Sequence, residues 1–227
     1  MASPGELMDK LASVTGSNRS TIESLYNGLR DADEIPKGAR GKNALRVTSE
    51  HAAKLLIAVC CAEHVKDAAN AVRRYSGLDA NNTTLEAAKF PVPNARWDIA
   101  LREFPLLGQL PPQHNFIDAL VALIDSYVDQ PERPSEIAVS FGSPYPSATA
   151  SVIVQKGKNK SRVSVHYGTP QRDQEEGHSD DPDFLMLIDP SKERQRRRFS
   201  TLDGDLRVLT TITHNTLSVL GQLSGAT

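Results

Sequence analysis

The stretch Met8–Asn27, MDKLASVTGSNRSTIESLYN, reads as two short helices joined by a tight turn. Ala12 is small at a point where two helices must cross closely. Gly16 follows four residues later, where the chain must leave the first helix in a left-handed conformation. Glycine adopts that conformation at little steric cost. Ile22 and Leu25 then fall three residues apart, so both turn back to the core that holds Leu11.

That inward set fixes the outward one. Asn18, Arg19, Ser20, Glu23, Ser24 and Asn27 face away from the core, and Thr21 and Arg30 lie on the same helix. These are mostly short polar side chains with few cations. They suit a helix laid in the major groove of DNA, whose N-terminal residues meet base edges. Ser17 or Ser20 is the expected cap, because a hydroxyl accepts from the free N–H groups of a first turn. The same N–H groups can face a phosphate.

A basic loop follows at Ile35–Val47, IPKGARGKNALRV. Pro36 is the expected helix stop. Lys37, Arg40, Lys42 and Arg46 lie in this loop with two glycines and no acid. Such a segment beside a reading helix has the character of a wing or a minor-groove arm.

Composition sets the wider bounds. At 227 residues the chain holds one large or two small domains. The net charge is −2, so basic character is local and a globally basic coat protein is excluded. Cys60 and Cys61 are adjacent in an apolar helical run, where neighbours point about 100° apart and do not pair. Free thiols are expected, in a reducing compartment. The sequence has neither a signal-peptide pattern nor a stretch approaching the roughly 20 apolar residues of a membrane span. A cytoplasmic, nucleoid-associated protein with no membrane contact is expected.

Along the chain, Thr48, Ser49 and Glu50 open a new helix. The run His51–Tyr75 reads as two helices with a break near Glu63 and His64. Its first half is apolar most of the way round and must be covered. Residues 76–113 are punctuated by prolines, with short helices expected at Thr83–Lys89 and Trp97–Phe104. Phe116–Val128 is an amphipathic helix. Beyond Pro131 the period becomes two. Ile137, Val139 and Phe141, then Ala148, Ala150, Val152 and Val154, then Val163, Val165 and Tyr167 mark three strands of a meander. Another strand is expected at Phe184–Ile188, and a last helix over about Leu206–Leu223.

Other constellations are weaker. The run Arg194, Arg196, Arg197 and Arg198 offers a second phosphate contact, or a partner for the acidic insertion Asp173–Asp183. That insertion lacks the order of a calcium loop. Cys61 and His64 are neighbours on a helix, but no oxyanion-hole sequence or orienting carboxylate accompanies them. The other histidines are scattered. No catalytic site, metal site or cofactor is expected, and the chain is not read as an enzyme.

Residues 5–60 resemble the helix-turn-helix transcriptional regulators, some winged, of phages and mobile elements. Leu11, Ala12, Gly16, Ile22 and Leu25 carry the resemblance, with the basic loop Lys37–Arg46. It implies a recognition helix at about Asn18–Arg30 and a dimer on a two-fold operator of double-stranded DNA. The expected fold is α+β. Residues 1–75 form a helical DNA-binding domain, 76–113 a connector, and 114–227 an antiparallel β-meander covered by helices for dimerisation or effector sensing. The expected function is a homodimeric repressor. The rival readings are a phage DNA-packaging or replication-initiation protein, and a protein-binding adaptor or inhibitor.

Overall fold

A computed structural model of the chain describes residues 2–38, 46–87, 90–93, 105–111, 113–129, 136–143, 146–156, 159–168 and 208–225. The fold is α+β: helices pack on one antiparallel sheet.

Four helices come first. α1 (Pro4–Thr15) opens with a capping box in which the Ser3 hydroxyl accepts from the Glu6 N–H, while the Glu6 carboxylate accepts from the Ser3 N–H at 2.7 Å. Those bonds hold the Glu6 carboxyl below its ordinary range. α2 (Arg19–Asp31) buries Ile22, Leu25, Tyr26 and Leu29. It ends five residues before Pro36, so the proline does not stop it. The stop is made by Asp33 in the left-handed region (φ 58°) and by bonds from the Ala32 and Glu34 N–H groups back to Gly28 and Leu29. α3 (Ser49–Cys61) is capped by Thr48 and buries almost every side of its first half. A 3₁₀ turn at Val65–Asp67 marks the expected break, and α4 (Ala68–Ser76) follows.

Among the described residues the sheet has six strands in the order β2-β1-β5-β4-β3-β6, antiparallel throughout. These are β1 (Asp79–Ala87), β2 (Phe90–Pro93), β3 (Glu136–Ser143), β4 (Ser147–Lys156), β5 (Asn159–Gly168) and β6 (Val208–Thr213). The meander β3–β4–β5 lies at its centre, as the alternation requires. Ile137, Val139, Phe141, Ala148, Ala150, Val152, Val163, Val165 and Tyr167 are all buried. Short α5 (Pro105–Gly108) and long α6 (Phe116–Asp129) join the helical layer.

Two further expectations are corrected. Thr83–Lys89 is not a helix: residues up to Ala87 belong to β1, paired with β5. Thr83 and Thr84 are β-branched and prefer a pleated surface. The helix expected over Leu206–Leu223 is split into β6 and α7 (His214–Gly225). Thr210, Thr211, Ile212 and Thr213 are β-branched in succession, and β6 completes the free edge of β3. The expectations at Trp97–Phe104, Asp173–Asp183, Phe184–Ile188 and Arg194–Arg198 lie outside the described residues.

One core runs through the whole assembly, from Leu7, Leu11 and Leu29 through Leu56, Phe116 and Leu120 to Val139, Val165 and Leu217. α1 packs on α7, and α3 on α6. The Ala2 N–H donates to the Leu223 carbonyl and the Val47 N–H to the Ala2 carbonyl, both at 3.2 Å. α1–α4 and the later elements α6, α7 and β3–β6 therefore bury their apolar faces against each other. Among the described residues, no helix is long and apolar enough to cross a membrane.

Candidate nucleic-acid interface

The α1–α2 hairpin is built as its sequence predicts at the turn. Gly16 is left-handed, with φ 68° and ψ 10°, and caps α1. Three residues, Gly16, Ser17 and Asn18, connect the helices. The cap of α2 is Asn18 rather than Ser17 or Ser20: its Oδ1 accepts from the Ser20 N–H at 3.0 Å and from the Ser20 hydroxyl at 2.9 Å. An amide one residue before the helix reaches the free N–H groups as well as a serine does. Ser17 instead donates its N–H to the Thr15 hydroxyl.

Successive residues on α2 are turned by about 100°. The buried set Ile22, Leu25, Tyr26 and Leu29 fills one side, so Asn27 lies near the middle of the outward arc with Ser20, Glu23, Ser24 and Asp31 around it. The arc carries three uncharged hydrogen-bonding side chains. Ser24 donates its hydroxyl to the Ser20 carbonyl at 2.9 Å, a bond it can exchange for an external partner.

Arg19 stands at one border of that arc. Its Nε donates to Asp9 Oδ1 of α1 at 2.6 Å, and its Nη1 to Glu23 Oε2 at 3.3 Å. Arg30 shares this border; it is half-buried, and its Nε is buried with no hydrogen-bond partner among the described residues. Thr21 lies at the opposite border. It lines a cleft of about 300 Å³ with Ser17, Ile22, Leu25, Val59 and Val65, so it faces α3 rather than the middle of the outward arc.

The flanking cations are placed in part. Lys37 is exposed and pairs with Asp33 at 3.1 Å, an exposed ion pair that contributes about 0–1 kcal/mol and is readily exchanged. Arg46 is exposed just before the cap of α3. Arg40 and Lys42 lie outside the described residues. The start of the loop is anchored: Lys54 Nζ donates to the Glu34 carbonyl at 3.0 Å, and Arg73 Nε to Glu34 Oε1 at 2.6 Å. No protein-family model matches the chain, and no curated protein or solved structure matches it either.

The cysteines and His51 sit in structural settings. Cys60 and Cys61 are free, and burial pushes the Cys60 thiol up to about 12 and the Cys61 thiol up further. Neither is a ready thiolate. His51 belongs to the α3 cap, where its Nδ1 accepts from the Thr48 N–H. Among the described residues no group of His, Cys, Asp and Glu has the arrangement of a metal site. Sequence reasoning missed Asp9. Its contact with Arg19 spans the turn, at a separation that no single-helix spacing reveals.

Proposed function

We propose that this chain is a sequence-specific double-stranded DNA-binding regulator that acts as a homodimeric repressor. The observation that carries the reading is the left-handed Gly16 turn, which delivers α2 with Ser20, Ser24 and Asn27 on its open face. Uncharged donors and acceptors on an exposed helix read base edges. Arg19, at the border of the same face, adds a guanine reader. The cations of the following segment, Lys37, Arg40, Lys42 and Arg46, are proposed phosphate contacts, which fix register without reading sequence.

Charge supports the dimer reading. Arg19 is flanked by Asp9 and Glu23, so one α2 face attracts phosphates weakly. Two linked units gain effective concentration and span adjacent half-sites. Asn27→Ala and Ser24→Ala test the placement of α2. Each is expected to weaken binding to DNA flanking the chain's own gene by about 1–3 kcal/mol, with folding unchanged. Mass measurement of the bound species should give two chains per site. A ring favours the packaging or replication reading. Unchanged affinity in both variants removes α2 from the interface.

A further inference from the structure

We propose that Asp9 is a positioning residue that holds the Arg19 guanidinium for recognition of a guanine. The assignment rests on the DNA-binding reading of α2. It starts from an asymmetry in how Arg19 is held. Asp9 comes from α1 and takes the Nε N–H at 2.6 Å, while Glu23 comes from α2 itself and takes Nη1 at 3.3 Å. The two carboxylates grip the guanidinium from two helices. A planar fork held at two points loses little further freedom when it meets a planar partner.

Five N–H groups belong to a guanidinium. Two are taken here, and three remain, both of those on Nη2 among them. Two adjacent N–H groups are what guanine O6 and N7 accept in the commonest specific contact to DNA. The Asp9 side chain is 68% exposed and that of Arg19 is 34% exposed. So exposed a carboxylate contributes little to the core, and an ion pair of this kind adds little stability. Its chemical effect is on Arg19.

Charge separates this role from a general electrostatic one. Asp9 is an anion beside the proposed DNA surface, so removing it lessens repulsion of phosphates everywhere. A positioning role predicts the opposite at one base: selectivity falls while affinity for mixed DNA is kept or gains.

The test is selection of the full chain on a pool of randomised duplex DNA, followed by sequencing of the bound fraction. The unsubstituted protein, Asp9→Ala, Asp9→Asn and Arg19→Ala are compared, with thermal melting as the folding control. The unsubstituted protein is expected to enrich a motif with one strongly preferred guanine. Arg19→Ala should lose that preference about tenfold or more. Asp9→Ala should lose most of it while still binding the pool, and Asp9→Asn, which keeps an acceptor in place, should be intermediate. If both Asp9 variants keep the guanine preference, the assignment is overturned and the DNA reading stands. If the unsubstituted protein enriches nothing, both are overturned together.

Discussion

A Cβ added to Gly221 would lie 2.7 Å from the Tyr127 Cβ and 2.7 Å from the Ile124 carbonyl oxygen. α7 therefore crosses α6 at a distance only a glycine permits, and Gly225 repeats the close approach one turn on, against Val128. Gly221→Ala is expected to lower stability by about 1–3 kcal/mol, because overpacking exceeds the gain of about 1 kcal/mol in helix propensity. Urea unfolding checks this. A midpoint equal to or above that of the unsubstituted protein would mean the helices are not in such close contact.

His114 gives a pH dependence. Its Nδ1 lies 2.8 Å from the Pro111 carbonyl and its Nε2 lies 2.9 Å from the Tyr167 hydroxyl. A carbonyl only accepts, so Nδ1 carries the proton and Nε2 accepts from Tyr167. Burial disfavours the imidazolium and lowers the His114 pKa, against smaller raising effects of the Pro111 carbonyl and Asp118. The unfolded chain takes up the proton near pH 6.5, where the folded chain does not. Stability is therefore complete above that pH and falls as pH drops below it. His51, also lowered mainly by burial, acts in the same sense. Urea midpoints are expected to fall from pH 7 to pH 5.5, and His114→Gln should flatten that slope without abolishing it. An equal slope in the variant would contradict the assignment.

The α2 cap separates two neighbouring residues. Asn18→Ala should cost about 1 kcal/mol of stability, the usual loss of a side-chain cap. Ser17→Ala, whose hydroxyl caps nothing in α2, should fall within about 0.5 kcal/mol of the unsubstituted protein. Thermal melts of the two variants decide between them. Equal losses would place the cap elsewhere.

The flanking cations have a separate signature. Lys37→Ala and Arg46→Ala are each expected to weaken DNA binding evenly across sequences and to reduce the salt slope by about one. A change confined to one base position would make either residue a base reader instead.

The helical half was legible because apolar residues recur at helical spacing: Leu11, then Ile22 and Leu25, then Phe116, Leu120, Leu123 and Ile124. The central strands were legible from strict alternation, as in Ile137, Val139 and Phe141. β1 was not, because its pairing with β5 spans about eighty residues and its own Asn and Thr residues alternate nothing apolar. β6 was hidden because Leu209, Ile212 and Thr216 satisfy a helical period as well as an extended one. The turn at Gly16 was plain in the sequence, whereas the Asp9–Arg19 pair exists only once α1 and α2 lie side by side.

The central claim is tested most directly by a salt-titrated binding assay. The full chain is titrated onto duplex fragments flanking its own gene, with unrelated duplex as competitor. The account predicts that one fragment is bound in the presence of competitor, and that its log affinity falls linearly with log salt concentration. Absence of binding, or weak binding equal on all fragments, would contradict it and favour a protein partner for α2 or a packaging role.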